Sequence, residues 1–435
     1  METGANAASP SFWLFMYKTL TQDLKNVCSD ALFETVKELK YQTQNQNIDI
    51  VIINNWAFGY CGSVLAHLFN SSLIIFNVAG PFSTSMLGLG NSVNPFTQPN
   101  LIAPYIEPMT FLERLVNVVM EYAVTKFMNW TDLLGLDDIR KKLGSDIPEF
   151  SSIVEDRATF SFANSHFVTH GSWPYYKNFI ELGGIHCKPG KELPSDLKEY
   201  MNSHPEGVVY VSFGSGFKPS QMTKRQRNSF NDAFRELNCP IIWIWDGEDV
   251  TGIPRNVKIM KWVPQNDLLA HPNLKAFLTQ GGLMSIQEAL FHKVPLVAIP
   301  ITADQAGNVK RAELNGYAVK LNLHTLTKDD IVSAIRKVMT DETVISAISS
   351  MHDLFTDYYD QTPMQKGIDS VEYVLRHKNL DFLKSKHSLS VPWYQYYGFD
   401  IALFIVMSVG FGIIIIAKIF LCIIQQLCLK KEKEE

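Results

Sequence analysis

Between Trp262 and Asn308 the chain reads WVPQNDLLAHPNLKAFLTQGGLMSIQEALFHKVPLVAIPITADQAGN, 47 residues that gather side chains able to hold one extended polar ligand. The indole of Trp262 can stack on a flat base, and the Gln265 amide can read that base's edge. Gln280, Gly281, Gly282 and Ser285 join a strand to a helix. Paired glycines let backbone approach a ligand closely, and a helix N-terminus with free N–H groups favours a phosphate or diphosphate. Glu288, one turn into that helix, offers a carboxylate to the two hydroxyls of a ribose. Asp304 and Gln305 offer an acceptor and an amide to the hydroxyls of a sugar. Each part alone is common: a glycine pair before a helix is usually a turn, a lone Trp is usually packing, and an Asp-Gln pair is usually surface. The order and spacing carry the reading, because base, diphosphate, ribose and sugar are all served in one run.

Such residues need strands that deliver them to one edge. Short continuous apolar runs mark buried parallel strands at Val208–Phe213, Ile241–Trp245, Lys258–Met260, Ala276–Leu278 and Leu296–Ile299. Their alternation with helical segments predicts a doubly wound α/β sheet, whose ligands lie at the carboxyl ends of the strands. Upstream, Ile48–Ile53 and Leu73–Val78 bracket helical spacing at Gly62–Leu68, a second α/β unit. Thr110 and Glu113 form a capping box opening a helix with apolar residues at Leu112, Leu115, Val119 and Tyr122. Residues 184–207 are rich in Gly, Pro and charge, which places a domain boundary there. The expected organisation is a first domain over 1–195, a second over 196–375, a return helix and juxtamembrane segment over 376–398, a membrane-spanning helix over 399–424 and a tail over 425–435.

The whole chain of 435 residues is 46% hydrophobic and 19% charged with a formal net charge of -5, which excludes a disordered chain and argues against a nucleic-acid binder. Six cysteines without a CxxC pair establish neither a disulfide framework nor a zinc cluster, and Cys61 reads as a packing residue. Ile401–Ala417 carries no charge, and Ile401–Ile424 suffices to cross a bilayer if Lys418 snorkels its ammonium outward. Trp393, Tyr394, Tyr396 and Tyr397 precede it as an interfacial belt, and the terminal lysines place the tail in the cytosol. The preceding bulk then lies outside the cytosol, where Asn70 and Asn129 fit glycosylation sequons. The last residues are similar to a dilysine-type retrieval signal of endoplasmic reticulum membrane proteins. The opening residues offer only Phe12–Tyr17 as an apolar run, too short for a secretory leader.

The chain resembles the UDP-glycosyltransferases, in the animal membrane branch that includes glucuronosyltransferases. Phe277, Thr279, Gln280, Gly281, Gly282, Ser285, Glu288, Pro295, Pro300, Asp304 and Gln305 match the signature of that family. VVYVSFGSG at Val208–Gly216, WVPQNDLLAHP, GGIHCKP, Met109–Arg114, Val371–Lys378 and WYQYY match it too. The resemblance implies a GT-B fold of two Rossmann-like domains, the first incomplete, plus a C-terminal transmembrane helix. It implies that Trp262 stacks on uracil and Gln265 bonds its edge. Ser215, Gln280, Gly281, Gly282 and Ser285 would lie near the diphosphate, Glu288 at the ribose, and Asp304 with Gln305 at the sugar. The reaction implied is an inverting displacement from a UDP-sugar to a small lipophilic acceptor, without metal or further cofactor, in the endoplasmic reticulum membrane and open to homo- or hetero-oligomers. Gln280 and the Leu283-Met284-Ser285 run look like invertebrate members, which points to glucose rather than glucuronate.

Two departures accompany the resemblance. In the family a His just after the first strand deprotonates the acceptor, steered by a carboxylate after a later strand. The first histidine here is His67, and Asn54 stands at the carboxylate position. The expectation is a chain that lacks the family's opening strands, leaves a hydrophobic sheet edge, and is either an active transferase or a catalytically silent UDP-sugar-binding subunit of the same fold.

Overall fold

The computed structural model describes residues 28, 30–43, 47–55, 60–358, 360–377 and 380–431. One compact unit runs to Lys384 and a second begins at Ser385.

The first unit is built on two parallel sheets. The first sheet holds β1 (Ile50–Asn54), β2 (Ser72–Asn77), β3 (Ala158–Ala163) and β4 (Phe179–Glu181), side by side in that order. The isoleucine-rich runs of β1 and β2 are strands as expected. β3 carries no apolar run, since ATFSFA interleaves Thr159 and Ser161 with phenylalanines. It nevertheless lies inside, because the Ser161 hydroxyl is satisfied by the amide of Asn77 at 3.0 Å. Among the described strands β1 and β4 are the edges, and Ile52 on β1 is half exposed.

The second sheet holds β5 (Val208–Ser212), β6 (Ile241–Ile244), β7 (Val257–Met260), β8 (Leu274–Thr279), β9 (Leu296–Ala298) and β10 (Ala318–Lys320), in the spatial order β10-β9-β8-β5-β6-β7. Its strands divide their side chains between two cores. Tyr210, Phe277 and Leu296 enter one, while Val209, Val211, Ala276, Leu278 and Val297 enter the other. Burial on both faces explains why these strands read as continuous apolar runs. The strand order reverses between β5 and β8, the switch point at which such sheets open a crevice.

Three features depart from the sequence reading. The helix Phe111–Leu143 starts on the expected capping box: Thr110 Oγ accepts from Glu113 N–H, and Glu113 accepts from Thr110 N–H at 2.8 Å. Its apolar residues Phe111, Leu112, Leu115, Val119 and Tyr122 nevertheless face outward, and the buried side is Asn117, Glu121, Val124, Met128, Leu136 and Ile139. The polar members of that side are used internally. Asn117 Oδ1 accepts from Asn100 N–H at 2.7 Å, and Glu121 accepts from the Asn100 amide at 2.6 Å.

The second departure is the return of the chain to the first sheet. It begins at Pro363, inside the segment assigned to the second domain, because helix Pro363–Arg376 sets Val371 and Val374 against Ile74, Phe160 and Phe162. Third, Cys28 and Cys61 are joined in a disulfide with Cα atoms 5.6 Å apart, so Cys61 is not merely a packing residue. Sequence spacing alone could not show this pairing, since 33 residues separate the two. Cys187, Cys239 and Cys422 are free.

In the second unit, helix Phe399–Lys431 includes the stretch Phe399–Ile424, long and apolar enough to cross a membrane, with mean hydropathy 2.6.

Candidate active site

The loops after β5 and β8 meet at the switch point. Gly281 follows β8 at φ +83°, and a Cβ there would fall 2.2 Å from Val309 Cγ2, so both the conformation and the packing require glycine. Gly282 is the N-cap of helix Leu283–Phe291 and brings no capping side chain. A helix start of this kind presents its first N–H groups and the positive end of its dipole to an anion. Gln280 reaches across to the neighbouring loop, where a Cβ on Gly214 would lie 2.5 Å from its Nε2. Ser215 is exposed on that loop.

One turn into the helix, Glu288 belongs to a chain of hydrogen bonds. Tyr210 Oη donates to Gln265 Oε1 at 3.1 Å, and Gln265 Nε2 donates to Ser285 Oγ at 3.0 Å and to Glu288 Oε2 at 2.6 Å. The structure therefore turns the Gln265 amide toward the carboxylate of Glu288. Trp262, three residues earlier and beyond β7, is 73% exposed. A large aromatic side chain left in water beside buried polar groups has a free face for stacking.

Asp304 and Gln305 open helix Gln305–Leu314, and both are buried. Gln305 Oε1 accepts from the N–H groups of Ile301 and Thr302 at 2.8 and 3.0 Å. This fixes the amide from behind. Asp304 accepts from Asn308 Nδ2 at 2.6 Å and lies by the N–H of Leu283, joining this helix to the glycine turn. Burial pushes the Asp304 carboxyl up to about 6. Ser215, Trp262, Gln265, Gln280, Gly281, Gly282, Ser285, Glu288, Asp304 and Gln305 thus come from loops or helix starts that follow strands of the second sheet.

The first sheet contributes a polar interior that the sequence reading missed. Asn77 on β2 holds Ser161 and accepts from Ser85 Oγ at 2.7 Å. Asn55, just past β1, donates to Ser85 Oγ at 2.9 Å. Asp132, midway along the long helix, accepts from Tyr60 N–H at 3.1 Å, and burial pushes it up to about 7. No local motif announces this cluster, because its members lie tens of residues apart. Asn54 ends β1, in register with Phe76. Asn70 is exposed at φ +52° and accepts from Arg157, whereas Asn129 is exposed within the long helix.

Two parallel α/β sheets with a glycine turn at the switch point of the second are the architecture of the GT-B fold, and solved structures share it. The glycotransferase of kitacinnamycin superposes with a TM-score of 0.53 at 19% identity, covering 79% of this chain and 80% of its own. LpCGTa in complex with UDP gives 0.52 at 14% identity, covering 85% and 83%. The chain belongs to the UDP-glucoronosyl and UDP-glucosyl transferase family, whose model matches residues 2–434. UDP-glucuronosyltransferase 2B14 of Oryctolagus cuniculus is 30% identical over 100% of this chain and 82% of its own length. UDP-glucosyltransferase 2 of Dactylopius coccus is 30% identical over 90% and 77%. The protein is a UDP-glycosyltransferase.

Proposed function

We propose that this transferase moves a hexosyl group, glucose in preference to glucuronate, from its UDP-sugar to small lipophilic hydroxyl compounds with inversion. Trp262 stacks on uracil. The diphosphate rests on the start of helix Leu283–Phe291, beside Gln280, Gly281, Gly282, Ser285 and Ser215. Glu288 takes the ribose hydroxyls, with Gln265 alongside, and Asp304 with Gln305 orients the sugar. The acceptor oxygen forms its bond to the anomeric carbon while the bond from that carbon to the diphosphate oxygen breaks, and the acceptor proton leaves. Negative charge growing on the departing UDP is met by the N–H groups and positive dipole of the helix. Neither a metal nor a further cofactor enters this account.

The observation that carries the reading is the Tyr210–Gln265–Glu288–Ser285 chain beside the glycine turn, since it holds a carboxylate and a hydroxyl together on the helix that starts there. The preference for glucose rests on Gln280 and the Leu283-Met284-Ser285 run. The proposed setting is the endoplasmic reticulum membrane, spanned by Ile401–Ile424, with the bulk luminal and Asn70 and Asn129 as glycan acceptors. The Cys28–Cys61 disulfide supports an oxidising compartment.

Calorimetric titration of UDP into detergent-held full-length protein tests the donor site. Wild type should bind, and Glu288→Ala should weaken binding about tenfold through loss of charge-assisted hydrogen bonds. Unchanged affinity in Glu288→Ala defeats the assignment. UDP binding without transfer from UDP-glucose to any phenol would instead identify a silent subunit.

A further inference from the structure

We propose that Glu107 and Arg311 form a positioning pair that fixes the sugar-holding helix against the other half of the enzyme. The proposal rests on the donor-site reading above, in which Asp304 and Gln305 orient the sugar. Helix Gln305–Leu314 is one element on which the two halves meet. Its first residues face the donor crevice, and its second turn grips the segment before the long helix. The Arg311 guanidinium pairs with Glu107 Oε2, while Glu107 Oε1 accepts from Trp173 Nε1 at 2.8 Å, so both carboxylate oxygens are used. Arg311 lies against the backbone at Gly171, where a Cβ would stand 3.3 Å from its Nη1. Only 16% of the Arg311 side chain is exposed.

Neighbouring contacts repeat the grip. Lys310 pairs with Glu113 at 3.4 Å, the same carboxylate that completes the capping box of Phe111–Leu143. Asn315 Nδ2 donates to Val168 O at 3.3 Å. Gly307 allows the helix to meet the backbone of the first half, since a Cβ there would be 3.2 Å from Ala103 O. These contacts anchor one helix along its length, from Gly307 to its C-cap Asn315, with Lys310 and Arg311 within about two turns of Asp304. A partly buried carboxylate that accepts from a guanidinium through one oxygen and from an indole through the other holds orientation better than an exposed ion pair. Displacing the sugar from the acceptor by about 1 Å can cost about a hundredfold in rate. The pair therefore acts on alignment, through the helix, without touching the donor.

The test compares Glu107→Gln, Arg311→Gln and the double variant in the full-length protein. UDP affinity, turnover of UDP-glucose with para-nitrophenol, and amide hydrogen exchange are measured on each. The expected result is UDP affinity within about twofold of wild type, because base and diphosphate are held within the second sheet's loops. Transfer kcat should fall about tenfold with little change in KM for UDP-glucose. Exchange in residues 103–107 and 305–314 should rise. The double variant should be no worse than either single one, the signature of a shared interaction.

Wild-type exchange in both segments, or strictly additive losses, overturns the pairing even in a preparation that shows no turnover. Faster exchange with unchanged kcat and transfer yield in an active preparation overturns its role in alignment. Loss of UDP binding in Glu107→Gln also overturns it. Normal UDP binding in Glu288→Ala, by contrast, strikes the donor-site reading and leaves the exchange result standing.

Discussion

The two sheets solve the same packing problem with different chemistry. The second sheet divides its strands between two apolar cores, with Phe230, Trp243, Phe277 and Leu290 among the fully buried members. The first sheet has smaller apolar clusters and ties them together with buried amides. Asn91 pairs with Asn178, Asn100 with Glu121, and Asn55 and Asn77 with Ser85. Apolar packing tolerates adjustment, whereas an amide network fails at any orphaned member. The donor crevice is thus built on the more forgiving half, and the other half is specified by geometry.

Breaking the second half takes a backbone clash. Gly281→Val should cost more than about 3 kcal/mol, since the position holds φ +83° with Val309 against it, and UDP binding should vanish. Chemical unfolding with parallel UDP titration measures this, and a stable, UDP-binding variant would refute the packing argument.

The first half holds two histidines whose neutrality makes an acid-sensitive contribution. Burial, reinforced by the Arg311 charge, holds His170 down to about 3, and burial holds His166 down to about 4. Both stay neutral in the folded state while the unfolded chain takes up protons below about 6.5. Their stabilisation is complete above that pH and is lost as pH falls toward the folded values, at about 1.4 kcal/mol per unit for each group. Asp132 and Asp304, which burial pushes up to about 7 and about 6, act in the opposite sense over the same range. The test is therefore a difference: between pH 7 and 4 the wild-type melting temperature should fall relative to that of His170→Asn. A slope identical to wild type in that variant would show that His170 makes no such contribution.

Asn77→Ala should cost about 2 kcal/mol, because it takes from Ser161 its donor and from Ser85 its acceptor. The melting temperature should drop while UDP affinity survives, and a joint loss would mean that the halves are not energetically separable. Trp262→Ala should do the reverse. The exposed indole contributes within about 0.5 kcal/mol to folding, yet its removal should weaken UDP binding by about 1 kcal/mol. An unfolded variant would show that Trp262 is structural.

Legibility in the sequence followed the same division. Four strands of the second sheet were readable because burial on both faces leaves continuous apolar runs, and the half-buried edge strand β7 showed only as Ile259 and Met260. β10, only three residues long, left too little signal. The residues proposed for the donor could be named because one contiguous window supplies most of them. β3 was not, because Thr159 and Ser161 interrupt its apolar pattern and their hydrogen-bond partners are remote. The outward turn of Leu112, Leu115, Val119 and Tyr122 was hidden for a related reason. Periodicity finds an apolar face but cannot tell that Asn117 and Glu121 have found partners inside. The Gln265 amide could be placed in the crevice but not aimed, since its direction depends on Tyr210 and Glu288, which lie far from it along the chain.

That outward row of side chains bears on how the protein can be handled. Cutting the chain ahead of Phe399 would remove its most lipid-like stretch, yet Phe111, Leu112, Leu115, Val119 and Tyr122 would still face water along one ridge. Such a ridge is a sticking surface in plain buffer. Material shortened in this way should need surfactant, or charged replacements along the ridge, to remain dispersed.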